Sequence, residues 1–283
     1  MKASKKKWLQ ELNNFVDMKR SEYADKWSQS ANAHKLNNDY EWMTSFIKGY
    51  DRILEIGTGD GSSTLSLVKN GHTVIGIDEN IECLKMTFNK LKEHNVDVFL
   101  LEREEIKLSD KSKYKVKYSK VHADLSGCHV ILMEGDILND PHFFSWLATQ
   151  EKLDAIVCWL IGSHGARRMN EVVQSEMPGM YRLETQNRVY EIADDFLRPG
   201  GILNIVDRVQ TPKAESDKQS FFESHQDQAS VTTLNVETIN FKQIDFKKVT
   251  KKGIEMGLSL GPEAQIPEQI DMSLISISAL KPL

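Results

Sequence analysis

"ILEIGTGDGSSTLSL", residues 53–67, runs an apolar stretch into three glycines and then into a segment of hydroxyls and leucines. An apolar strand, a glycine turn and a helix in that order form a ligand-holding unit. Gly57, Gly59 and Gly61 follow the spacing G-x-G-x-G. The dinucleotide fingerprint G-x-G-x-x-G needs its third glycine one position later, where this chain has Ser62. A phosphate-cradling P-loop is excluded, because no G-K-[ST] follows. Asp60 would stand beside the helix N-terminus, where a pyrophosphate wants positive potential. A ligand with a ribose and an adenine but no phosphate suits the turn better.

The flanking sequence supplies the groups such a ligand needs. A second apolar run, HTVIGIDEN (72–80), ends in Asp78, about 20 residues beyond the turn, where a carboxylate can take both ribose hydroxyls. A third, HVILMEGDIL (129–138), ends in Gly135, Asp136 and Ile137, where an acid can accept from an adenine amino group. Glu55 would put negative charge near a cationic amino acid end.

Further out, IECLKMTFNKLKEH (81–94) spaces Ile81, Leu84, Phe88 and Leu91 at three and four, as an amphipathic helix does. PHFFSWLATQ (141–150) reads as a helix, and LDAIVCWLIG (153–162) and GILNIVD (201–207) read as buried strands. VETINFKQIDF (236–246) and MSLISISAL (272–280) complete the strand set after a polar stretch at 210–230. The expected fold is α/β, a seven-stranded, mostly parallel, doubly wound sheet over residues 51–283. Residues 163–198 read as two helical pieces broken at Pro178–Gly179, the second stopped by RPGG (198–201). Residues 96–127 read as an inserted β-hairpin around the turn SDKS, with Tyr114, Val116 and Tyr118 on one face. Residues 1–50 read as an N-terminal helical cap, with a polar loop at Ser28–Asp39.

The 283 residues are 40% hydrophobic and 27% charged, with a net charge of −5, enough chain for a full core. That acidic balance counts against nucleic acid as the main partner. Cys83, Cys128 and Cys158 are too scattered for a disulfide framework or a zinc site and suit a reducing, cytoplasmic setting. The N-terminus is basic but has no apolar signal-peptide core, and no run approaches the roughly 18 apolar residues of a membrane span.

The runs LEIGTGDG, GIDEN and EGDIL together resemble the class I S-adenosylmethionine-dependent methyltransferases, over about residues 50–283. The resemblance implies a Rossmann-like sheet and S-adenosylmethionine as cofactor. It implies that Glu55, Gly57, Gly59 and Gly61 wrap the methionine end and that Asp78 takes the ribose, with Thr58 and Glu79 beside them in the cofactor-binding set. Asp136 and Ile137 would take the adenine; Trp159 is a candidate either for packing on the adenosine or for filling the core. The segment CWLIGSHG (158–165) lies where that family places its catalytic motif; it lacks [DNS]-P-P-[YF] and a Pro-Cys nucleophile. His164 is the candidate general base, with a pKa suited to a hydroxyl or amine proton. Tyr23, Trp27 and His34 are candidates for an aromatic lid over the sulfonium and acceptor, and Arg167 for an anionic substrate group. Asp154 and Asp207 do not make a metal set, so none is expected. The expected reaction is methyl transfer to an O- or N-nucleophile of a small molecule. RNA or protein as acceptor, and a non-catalytic partner subunit of the same fold, are the alternatives.

Overall fold

The computed structural model describes residues 2–108, 113–122, 127–172, 178–245, 253–254 and 271–283. At its centre lies β1 (Arg52–Ile56), hydrogen-bonded in parallel to β2 (Thr73–Asp78) on one side and to β7 (Leu153–Trp159) on the other. These strands are near-continuous apolar runs because both of their faces are covered. Ile53 and Val157 point into one core layer, Leu54 and Ile156 into the other. The first layer lies under α1 (Lys2–Leu36), α2 (Asp39–Thr44), α3 (Ser62–Lys69) and α4 (Ile81–Glu93). The second lies under α5 (Pro141–Leu147), α6 (Pro178–Phe196) and α7 (Glu215–Ala229).

The sheet has eight strands, one more than expected. Beyond β2 lie β6 (Val130–Glu134) and then β3 (Val98–Leu101) at the edge. Beyond β7 lie β8 (Leu197–Gln210), then β10 (Met272–Leu280) and β9 (Asn235–Ile244), the last two antiparallel. The extra strand is VFLL, which the sequence reading assigned to the insertion. It pairs in parallel with β6 from Val98 to Leu101. The inserted hairpin is therefore only β4 (Glu104–Leu108) and β5 (Tyr114–Tyr118); its turn SDKS lies outside the described residues. Tyr114, Val116 and Tyr118 are buried against Leu12 and Val16 of α1, leaving Lys115 and Lys117 wet, as the alternation implies.

Four other expectations change. Residues 28–36 are not a loop: α1 continues to Leu36, because Leu12, Val16, Arg20, Ala24, Trp27, Ala31 and His34 keep one buried stripe at spacings of three and four. The polar look of that stretch comes from its outer face. Residues 163–172 contain only a short 3-10 turn, Gly165–Met169, and α6 begins at Pro178, whose missing N–H costs nothing at a helix start. The polar stretch 210–230 holds α7, which buries only His225 and Ala229 and so carries little periodic signal. β8 also begins earlier than expected, at Leu197, and runs through RPGG to Gln210. No helix among the described residues is long and apolar enough to cross a membrane.

Candidate functional site

The chain leaves β1 toward β2 and β6 on one side and returns to β7 and β8 on the other. That makes the carboxyl edge of β1 and β7 a topological switch point, where open α/β sheets bind ligands. A cavity of about 680 Å³, mouth included, opens there under α1 and α2. Its floor is the glycine loop. Gly57, Gly59 and Gly61 have φ of 82°, 56° and 81°, values that L side chains rarely adopt. A Cβ on Gly59 would fall 2.1 Å from Trp27 Nε1, so the lid's indole lies directly on the loop. A Cβ on Gly162 would likewise fall 2.4 Å from Tyr23 Oη.

Asp78 joins the loop to the next turn. Its Oδ2 accepts from Gly59 N at 3.2 Å and its Oδ1 from Asn80 N at 2.9 Å. Burial pushes its carboxyl up to about 7, against these N–H groups and with help from the Glu79 charge. Asp136 also lines the cavity; its Oδ1 accepts from Leu138 N at 3.0 Å, and its Oδ2 is held by Arg167. Ile137, Thr58, Gly57, Glu79 and Trp159 line the same space, as do Tyr23 and Trp27. Trp159 is fixed by its Nε1, which donates to Asn204 Oδ1 at 2.7 Å.

Five expected site residues do not line the cavity. Glu55 is buried below the loop: Ser63 and Thr64 of α3 lie on its face of the sheet and donate their hydroxyls to its two oxygens, Thr64 at 2.6 Å. Burial raises its carboxyl to about 7 even so. Gly61 serves packing, since a Cβ there would lie 2.7 Å from Thr87 Cα of α4. His34 is fully buried, with Nδ1 at 2.7 Å from Asp39 Oδ2; burial lowers its pKa despite that carboxylate. His164 is also buried, its Nε2 3.2 Å from Glu79 Oε2, and so is no free general base. Arg167 is no open anion clamp: it is buried between Asp136 and Glu79, with its guanidinium 5.2 Å over the Tyr181 ring. Lys90 Nζ lies 2.5 Å from Asp60, whose Oδ1 accepts from Ser62 N at 3.1 Å, so the α3 N-terminus is already occupied by an acid.

These groups form one buried polar wall. Arg20 of α1 donates to the Glu79 carbonyl at 2.8 Å and clasps Glu104 of β4, 2.6 Å through Nη1. Burial alone would raise the Glu79 carboxyl, but the facing His164, Arg167 and Arg20 charges hold it well below the usual carboxylate range. Sequence reasoning missed Arg20, Tyr40, Tyr181, Thr185 and Leu160. Arg20 carried a usable signal, since Arg20, Tyr23 and Trp27 fall on one helix face. Leu160 carried none: its φ of 56° is unusual for a leucine and is fixed by Leu160 N donating to Val206 O at 2.7 Å.

No family model matches the sequence, and no curated protein matches it. Among solved structures, the YcgJ protein of Bacillus subtilis overlaps with a TM-score of 0.49 at 14% identity, over 85% of this chain and 98% of that one. The N-methyltransferase NodS of Bradyrhizobium japonicum, solved with S-adenosyl-L-homocysteine, overlaps at 0.47 and 11%, over 87% of each chain. A methyltransferase of Pyrococcus furiosus overlaps at 0.44 and 14%, over 87% of this chain and 82% of that one. Overlaps this loose leave the reaction to be read from the site itself.

Proposed function

We propose that this protein transfers a methyl group from S-adenosylmethionine to an oxygen or nitrogen of a small molecule, without a metal. The carrying observation is Asp78, a cavity carboxylate tied to Gly59 N and placed one strand away from the glycine loop. Gly57 and Gly59 offer backbone without side chains of their own at the cavity floor, Asp78 offers acceptors for two ribose hydroxyls, and Asp136 with Ile137 offers an acceptor beside an apolar wall. With Asp60 at the α3 N-terminus, a donor without phosphate fits and a dinucleotide does not.

The bound donor would supply an electrophilic methyl on a sulfonium. The protein's own work is positioning and exclusion of water. Tyr23, Trp27 and Tyr40 form an aromatic roof whose faces favour a cation. Asp78, Glu79 and Asp136 put negative potential around the same space. The lid covers the reacting centre, and an acceptor that has to reach it past Tyr23, Trp27 and Tyr40 is favoured to be a small molecule rather than a polymer. The three free cysteines, two of them buried, suit work in a reducing cytoplasm.

Titration calorimetry with S-adenosylmethionine and S-adenosylhomocysteine tests the reading. Saturable heat is expected from both, and Asp78→Ala is expected to weaken both by at least about tenfold, the loss of hydrogen bonds to a charged acceptor. Affinity within about twofold of wild type would remove the ribose assignment. Absence of heat in the wild type would remove the methyl-transfer reading.

A further inference from the structure

Arg208 lies on β8 two residues past Val206, the last residue of that strand paired with β7, and so stands at the carboxyl edge of the sheet, next to the cavity through Trp27 but not itself among the residues that line it. It is only 6% exposed. Its Nε and Nη1 have no hydrogen-bond partner among the described residues. The carboxylates around it are engaged elsewhere. Asp207 is held by Arg182 at 3.1 Å and Gln186 at 3.1 Å, and Asp39 by Lys242 at 2.6 Å and His34 at 2.7 Å. The Arg208 guanidinium rests instead over the Trp27 ring, 5.8 Å from its centroid, and Trp27 lines the cavity. Burial lowers its pKa in spite of Asp207, as expected for a cation without a counter-ion in contact. The other buried arginines of the lid region, Arg20 and Arg167, each hold at least one carboxylate.

A buried, unpaired guanidinium destabilises a fold, and apolar replacements at such sites are often stabilising. Its planar fork matches an oxyanion through two parallel hydrogen bonds. We propose that Arg208 anchors the methyl acceptor by an oxyanion, a carboxylate or a phosphate, that the acceptor carries beside its nucleophile. The acceptor role rests on the methyl-transfer reading; the anion site does not. An acidic small molecule would enter past the Trp27 edge, take the Arg208 fork, and present its nucleophile toward the glycine loop.

The experiment is calorimetric titration of the full chain with benzoate and, separately, with inorganic phosphate, each with and without S-adenosylhomocysteine. At least one probe is expected to bind at millimolar concentration, and which one binds separates a carboxylate from a phosphate site. Arg208→Met is expected to weaken that binding at least tenfold, to leave S-adenosylhomocysteine affinity unchanged, and to raise the melting temperature. The anion site is overturned if neither probe binds, if Arg208→Met binds as tightly as wild type, or if the variant melts lower. Probe binding without any S-adenosylhomocysteine binding would leave the anion site standing and remove the methyl-transfer reading.

Discussion

Asp78, half-buried, and Glu55, buried, are carboxylates one strand apart, and desolvation pushes both to about 7, yet they do different things with that charge. Asp78 faces the cavity, and ribose hydroxyls would donate to its ionised form. Donor affinity is therefore expected to rise about tenfold from pH 6 to pH 8 and then flatten, since protonation near 7 competes with binding. Calorimetry across that range checks this, and Asp78→Asn should leave a weak, pH-independent affinity. Glu55 faces α3 and acts on stability. Its folded pKa lies above its ordinary 4.5, so its contribution is fully present below about 4.5 and is lost as pH rises through about 7. The loss is of the order of 3 kcal/mol. Urea unfolding at pH 5 and pH 8 should show wild type losing more stability than Glu55→Gln by about that amount. The sequence placed Glu55 beside the ligand because it precedes the glycines; it did not disclose that Ser63 and Thr64 lie on the same face of the sheet and take the carboxylate first.

At the scale of elements, α1 is tied down by charge as well as by apolar packing. Arg20 reaches from α1 to Glu104 on the hairpin and to the Glu79 carbonyl at the end of β2, so one side chain joins three elements. Glu79 keeps His164 and Arg167 if Arg20 is removed, whereas Glu104 has no other ion pair among the described residues. Arg20→Met is therefore expected to cost roughly 3 kcal/mol, the penalty of stranding a buried carboxylate. Adding Glu104→Gln should recover most of it. A double-mutant cycle by urea unfolding measures the coupling. Elements with strong apolar periodicity were legible in advance: β1, β2, α4, β6, β7 and β10 all fall close to where their residues put them. α7 was not, because a helix that buries two residues in fifteen has almost no pattern to read. The last turns of α1 were hidden for the opposite reason. Ser30, Ala31 and His34 are buried there without being strongly apolar, and only their spacing marks the core face.

For the whole molecule, the strand order decides where a ligand goes and the lid decides how it arrives. The switch point beside β1 was foreseeable from the order of apolar runs and glycines. The wall of Arg20, Glu79, Glu104, His164, Arg167 and Asp136 was not, because its members are brought together from residues 20 to 167 only by folding. The same long-range closure sets up a kinetic conflict. Trp27 lies on Gly59 so closely that even a Cβ would not fit, while the methionine end of the expected donor needs that backbone face. Trp27 is itself 6% exposed and packed with Ala31, Tyr40 and Trp159 in the first core layer, so it cannot swing aside without disturbing the lid. Donor binding should then be gated by lid opening, a microsecond-to-millisecond event in enzymes that close over their substrates. In stopped-flow fluorescence with S-adenosylhomocysteine, the observed rate for wild type is expected to level off as ligand concentration rises. Trp27→Ala should remove the obstruction, so that the rate climbs linearly and exceeds the wild-type plateau about tenfold. Equal, linear rates in both proteins would make Trp27 a fixed wall rather than a gate, and the roof over the glycine loop would then have to open elsewhere.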